Sequence, residues 1–317
     1  MSFSISAEQR NNLSLSILKD EISQTEIAIL PEYGAALHAF SININDHQFN
    51  IIDNYKNGDE IKKEMPLSFK SAKLSPFPCR INEAEYDFNG RKYEFNNKFI
   101  DGSAIHGLLY NKLFRVTDTS SNENEAQIIL GYDYNKDDDG FPFNYTCTVE
   151  YILQKNNLLT IKTTVTNKSN IAIPIADGWH PYFRLANDVN HWLMQFPSES
   201  IVEFDERLIP TGNLSPYDTF SSPKIIDEIQ LDNCFILKKE LKTPACSIFN
   251  PKNKLRLNFF VDSSYPYLQI YIPPHRKSIA IENLSAAPDC FNNKMGLILL
   301  EPGHSQTFTV QYQPSLA

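Results

Sequence analysis

The chain has no apolar run approaching the roughly 20 residues that a membrane helix needs, so no spanning segment is expected. Its opening stretch, MSFSISAEQRNNLSLSIL, lacks a basic start followed by an apolar block, and no signal peptide is read there. Cysteine is sparse. Cys79, Cys147, Cys234, Cys246 and Cys290 are scattered, odd in number and never spaced as CxxC, which argues against a disulfide framework or a zinc knuckle. Positive charge is in deficit, with 29 Lys+Arg against 38 Asp+Glu and a net charge of −9, so a nucleic-acid binder is not expected. GxGxxG, GxxxxGK[ST] and GxSxG are absent, which removes the nucleotide and serine-hydrolase readings that such motifs carry. The histidines never form HExxH or HxH, so no metal site is expected from spacing. A reduced, soluble, cytoplasmic protein is the resulting expectation.

The chain does have the means to build a core. Of its 317 residues 42% are hydrophobic and 12% aromatic, too many for wholesale disorder. Period-two alternation dominates and helical periodicity is scarce. In Thr146–Leu153, Cys147, Val149, Tyr151 and Leu153 share one face; after Asn156-Asn157, Leu159, Ile161, Thr163 and Val165 repeat the pattern, which reads as an antiparallel hairpin. Further strands are expected at Ala36–Asn43, Gln127–Tyr134, Leu193–Phe196, Ser200–Phe204, Cys246–Phe249 and Leu255–Val261. Tyr267–Ile272, Ser278–Glu282, Leu297–Leu300 and Thr307–Gln313 complete the set. Many short strands without strand–helix alternation predict an all-β, antiparallel sandwich. No repeat or linker interrupts them, so residues 1–317 are read as one domain.

Parity singles out two residues. If Ile171–His180 stays a regular strand, Ile171, Ile173 and Ile175 line one face. Ala172, Pro174, Ala176 and Gly178 line the other, and His180 ends that row of small side chains, with space before it. In Ser278–Glu282, Ile279 and Ile281 face the core while Ser278, Ala280 and Glu282 share the opposite side, where a carboxylate can stand on a cavity floor. The plainer alternatives are that a lone histidine packs in the core or on the surface, and that a glutamate at a strand end is solvated. The acidic run Asp133–Gly140 looks at first like a calcium loop, but its sixth position is Asp138 rather than Gly and its twelfth is Asn144 rather than Glu. It reads as a solvated turn.

A set of segments in fixed order then carries a resemblance. Ile29–Ala35, Pro78-Cys79-Arg80-Ile81, Ile105-His106-Gly107 and Asp139-Gly140-Phe141-Pro142 are followed by Trp179-His180-Pro181-Tyr182-Phe183. Leu208–Gly212, Leu231–Phe235, Ile279-Ala280-Ile281-Glu282 with Pro288-Asp289, and Glu301-Pro302-Gly303 complete it. Over nearly its whole length the chain resembles the aldose 1-epimerases, the galactose mutarotase family, which fold as a large antiparallel β-sandwich of the supersandwich type. The resemblance implies Glu282 as catalytic base and His180 as catalytic acid, with His106, Arg80 and Asp232 binding the sugar. It implies interconversion of the anomers of a free hexose such as galactose or glucose, a small-molecule sugar as partner, and no cofactor. A nearby carboxylate is expected to keep His180 protonated at neutral pH, and Trp179 or Tyr182 is a candidate to pack on the sugar.

Departures from the family pattern stand at Cys79, Leu108, Leu109, Trp179 and Asn283, and are expected to reshape the pocket rim. Two other readings stay open. One is a hexose-6-phosphate epimerase using Arg184 or Lys294 as a phosphate-binding cation. The other is a non-catalytic carbohydrate-binding protein of the same fold. A monomer or homodimer without nucleic-acid or membrane partners fits each reading.

Overall fold

The computed structural model describes residues 2–239 and 244–316. Strands dominate it, and every strand pairing within its sheets is antiparallel. Five consecutive strands, from Phe3–Arg10 to His47–Asn50, form an N-terminal meander. A nine-stranded sheet follows, with Asn144–Gln154, Leu158–Asn167 and Ser305–Leu316 at its centre. The remaining large sheet, of eight strands, includes Asp232–Leu237, Tyr267–Tyr271, Ile279–Leu284 and Gly178–Trp179 in that order.

The hairpin read from the sequence is present in the expected register. Cys147 pairs with Val165, Val149 with Thr163, Tyr151 with Ile161 and Leu153 with Leu159, and these side chains are buried. Its turn holds Asn156 and Asn157 at φ 63° and 57°, a left-handed backbone that asparagine tolerates better than most residues. The nine-stranded and eight-stranded sheets pack through inward-facing side chains. Tyr312 of the first contacts Phe183 at a 5.4 Å ring separation and donates a hydrogen bond to Asn283 Oδ1 at 2.9 Å. Each large side chain buried in this layer contributes about 1.5–3 kcal/mol.

Of the N-terminal meander only Ala36–Ile44 was anticipated, as Ala36–Asn43, and the burial of the other strands explains part of the reason. Leu18, Ile27, Ile29 and Leu37 pack into the main core, while Leu13, Leu15, Ile17 and Leu30 form a second cluster with Ile61 and Met65. Ile61 and Met65 belong to the helix Gly58–Ser68, which covers the outer face of the sheet. The helix is masked in the sequence by Pro66 within it. Its start is nevertheless well built: Asn57 Oδ1 accepts from the Asp59 and Glu60 amides, and Glu60 accepts in return from the Lys56 amide. Phe69 ends it in a left-handed conformation, φ 49°.

The expected regular strand Ile171–His180 is broken. Ile173–Ile175 pairs with Ile298–Leu300 in a separate two-stranded ribbon, and Gly178–Trp179 resumes in the eight-stranded sheet. Between them the Ala176 amide turns to the Pro76 carbonyl, 2.7 Å away. Gly178 permits the re-entry, because a Cβ there would lie 2.6 Å from Leu284 Cδ2 and 3.0 Å from the Asn283 carbonyl. Parity does not survive the jog.

Candidate active site

A cavity of about 190 Å³ opens on the face of the eight-stranded sheet that looks away from the core. Its floor is laid by register. Glu282 stands opposite Gln269, which stands opposite Cys234; one rung along, Ala280, Tyr271 and Asp232 are aligned. Side chains on one face of a sheet recur every second residue, so Glu282, Gln269, Tyr271 and Asp232 project together. Ile279 and Ile281 point into the core, as alternation predicted.

A second strand pair builds the wall. Arg80–Ile81 pairs with Ala104–Ile105, and the His106 amide donates to the Cys79 carbonyl at 2.8 Å. Cys79 and His106 both hold left-handed backbones, φ 52° and 58°, which cost a non-glycine residue about 1–3 kcal/mol and cluster at ligand sites. Gly107 makes the turn possible: a Cβ would sit 2.3 Å from the Ser75 carbonyl oxygen. Arg80 Nε donates to Asp101 Oδ2 at 2.8 Å, orienting the guanidinium. The Pro288-Asp289 motif supports the same wall, since the Asp289 amide donates to the Arg80 carbonyl and its Oδ1 accepts from the Asn82 amide.

His180 enters between floor and wall. Its amide donates to the Ala72 carbonyl at 3.1 Å, and its carbonyl accepts from the Ser71 amide at 2.9 Å. Beside this pairing lies a fully buried ion pair. Lys73 Nζ is 2.6 Å from the Asp177 carboxylate, donates to the Gly178 carbonyl, and sits 4.5 Å from the Trp179 ring centre; the Tyr265 hydroxyl also donates to Asp177, at 2.6 Å. The imidazole stacks on Tyr182 with ring centres 5.0 Å apart, and meets His106 edge to face at 4.8 Å. Its Nε2 lies 3.2 Å from Glu282 Oε1.

All five residues singled out from the sequence therefore line one cavity: Glu282, His180, His106, Arg80 and Asp232. The route to His180 was not the expected one. None of Ala172, Pro174, Ala176 and Gly178 lines the cavity, and the histidine is delivered by the break in the strand rather than by its regularity. Of the two aromatic candidates Tyr182 lines the cavity, whereas Trp179 is in the core and bonds Thr163. Of the five departures from the family pattern only Cys79 touches the cavity. Leu108, Leu109 and Trp179 lie outside it, and Asn283 faces Tyr312 on the opposite side of its strand. Arg184 is bound to the Asn50 carbonyl and Lys294 to the Phe291 carbonyl, and neither lines the cavity.

Gln269 and Tyr271 escaped the sequence reading. Gln269 Nε2 donates to Asp232 Oδ1 at 2.8 Å and so fixes the orientation of that carboxylate. Only the register reveals it: the two expected strands pair about His275-Arg276, which sets Gln269 opposite Glu282.

The electrostatics run against one expectation. Burial pushes the His180 imidazole down to about 4, so the nearby carboxylate does not hold it protonated at neutral pH. Burial also raises Glu282 well above the usual carboxylate range, with Asp232 adding to the shift and Arg80 opposing it. Burial likewise lowers His106, assisted by His180 and Arg80, and raises Asp232. Glu282 Oε2 and the Nδ1 atoms of His106 and His180 are buried without a hydrogen-bond partner among the described residues. Unpaired polar atoms of this kind are costly in a closed core and mark a surface shaped for a polar ligand. Among the described residues no helix is long and apolar enough to cross a membrane.

Comparison with known proteins identifies the family and the fold. The sequence model of the family described as Aldose 1-epimerase matches residues 20–313. The protein YihR of Escherichia coli K12 is 27% identical over 248 residues, covering 76% of this chain and 78% of YihR. The maltose epimerase of Levilactobacillus brevis is 23% identical over 259 residues, covering 75% of this chain and 74% of that enzyme. In fold, the chain is similar to a galactose mutarotase-like protein from Clostridium acetobutylicum, with a TM-score of 0.88 at 18% identity, covering 100% of this chain and 99% of that one. The chain belongs to the aldose 1-epimerase family of carbohydrate isomerases.

Proposed function

We propose that the protein interconverts the α and β anomers of a free hexose, galactose or glucose being the first candidates, with Glu282 and His180 as the acid–base pair. The observation that carries this reading is the 3.2 Å contact between Glu282 Oε1 and His180 Nε2, buried beside a sugar-sized cavity. The cavity, about 190 Å³, suits a single sugar ring at the reacting centre.

Ring opening needs one proton removed from the C1 hydroxyl and one delivered to the ring oxygen O5. The C1–O5 bond then breaks, leaving an aldehyde at C1 and a hydroxyl at C5. Rotation about C1–C2 presents the other face of the aldehyde. Reclosure returns both protons, so nothing is oxidised or reduced and no co-reactant is consumed. A pair holding one proton suffices: the deprotonated partner accepts from O1 while the protonated one donates to O5. Transfer along the 3.2 Å contact converts the uncharged pair into carboxylate and imidazolium, the form in which Glu282 is base and His180 acid. Arg80, His106 and the Gln269-oriented Asp232 hold sugar hydroxyls, and Tyr182 and Tyr271 offer ring faces to its apolar side.

The phosphorylated-substrate reading has little to support it, because neither Arg184 nor Lys294 reaches the cavity. The test is the decay of optical rotation of freshly dissolved α-D-galactose and α-D-glucose, with maltose alongside. Acceleration by the wild type, lowered by roughly 10²–10⁴-fold in Glu282→Gln and His180→Asn, is expected. Near-normal rates in either folded variant would show that this pair does not do the chemistry, and no acceleration of any free sugar would favour a binding role.

A further inference from the structure

Cys79, His106 and Glu282 come from three separate segments of the chain and meet in the cavity wall and floor. Each offers one ligand atom, and these atoms all lie within 4.8 Å of one another. All three side chains are more than nine-tenths buried. Glu282 Oε2 and His106 Nδ1 have no hydrogen-bond partner among the described residues. Spacing in the sequence could not show this cluster, because the three residues are distant along the chain and converge only through the strand pairings of the fold.

We propose that Cys79, His106 and Glu282 form a binding site for a thiolate-preferring divalent cation, zinc foremost, and that a bound ion occludes the sugar pocket. Sulfur, imidazole nitrogen and carboxylate oxygen make a donor set typical of zinc. Bond lengths of ~2.3 Å to sulfur and ~2.0–2.1 Å to nitrogen and oxygen place tetrahedral ligands ~3.3–3.6 Å apart, so side-chain movements of about 1 Å close the set. The Cys79 thiol gives up its proton to solvent on binding, and the proton shared by Glu282 and His180 is released with it. The resulting thiolate and carboxylate then balance the two positive charges, while the imidazole binds in its neutral form. His180, with Nε2 3.2 Å from Glu282 Oε1, borders the site without belonging to the mutually close set. Arg80 brings an opposing charge to the same wall, and its pairing with Asp101 offsets it. Zinc held here engages the carboxylate assigned above as the base; that consequence rests on the proposed epimerase reading, but the site itself does not.

The test is a titration of the intact chain with Co²⁺, whose thiolate complexes show an intense near-ultraviolet charge-transfer band, followed by displacement with Zn²⁺. The expected result is about one equivalent bound with the band present and the band lost on adding Zn²⁺. The band disappears in Cys79→Ser and persists in Cys234→Ser. Glu282→Gln, followed as a second variant in case Cys79→Ser does not fold, is expected to weaken Co²⁺ binding at least tenfold. Excess free sugar is expected to weaken it as well, by competition. A folded wild type that shows no thiolate band overturns the proposal, as does a band that survives Cys79→Ser. Metal affinity indifferent to a sugar that the protein demonstrably turns over would overturn the occlusion. Because the readout needs no turnover, its failure is separable from failure of the epimerase assignment.

Discussion

His180 Nε2 and Glu282 Oε1 are 3.2 Å apart in a site where burial drives both groups toward their uncharged forms. Over a wide range of pH the two therefore share one proton, and their titrations belong to the pair rather than to either residue. That proton count is the one ring opening requires.

The acid limit of activity follows from this sharing. A free imidazole would gain its proton near pH 6.5. Here the second proton arrives only as pH falls toward about 4, the value to which burial lowers His180. Glu282 is already protonated there, so the pair then holds two protons and has no base. A pH–rate profile in galactose or glucose should run flat through pH 6.5 and fall on approach to about pH 4. An acid limb centred near 6.5 would mean that the imidazole titrates as though exposed.

Glu282 should be a residue that costs stability at neutral pH. Its folded value is raised above the unfolded one, so its favourable contribution is complete below the unfolded carboxylate range and is lost as pH rises through the folded value. Glu282→Gln removes that dependence. The variant should melt at a higher temperature than wild type at pH 7, with the gap closing toward pH 4. A gap that is constant with pH would trace the difference to packing instead.

The buried Lys73–Asp177 pair gives the opposite outcome. Lys73→Met leaves the Asp177 carboxylate without its cation in a fully buried position, and about 3–5 kcal/mol should be lost in urea unfolding. The double change Lys73→Met with Asp177→Leu should recover part of this. The remainder would reflect the Tyr265 hydroxyl, which loses its acceptor. A single change within 1 kcal/mol of wild type would show that water or a neighbour compensates the charge.

Alternation was enough to locate the strands that carry Glu282 and Gln269, because period two survives wherever one face of a sheet is buried, whereas the strand Asp232–Leu237 was not read and Asp232 came from the resemblance alone. It misled where the chain leaves one sheet for another. The jog at Ala176-Asp177 is fixed by a carbonyl from Pro76 and by close packing on Gly178, contacts that sequence order does not encode. Glu282 was expected on a cavity floor for the right reason, and His180 reaches the same cavity by a route other than the expected one. Cys79 was read as an altered rim position, but its closeness to His106 and Glu282 depends on two left-handed turns that the sequence does not announce.

The residues around the cavity divide by where they sit in the fold. The floor belongs to adjoining strands in continuous register, where moving one residue by a single position would turn its side chain to the opposite face. The rim comes from elsewhere: Leu67 and Ser68 at a helix end, Phe99 and Leu208 in connecting segments, Phe204 at the last position of its strand. On the proposed reading, the carboxylate base and the choice of sugar are carried by different parts of the molecule. Exchanging the rim segments between relatives offers a way to redirect which sugar is admitted while the proton-handling apparatus is inherited unchanged.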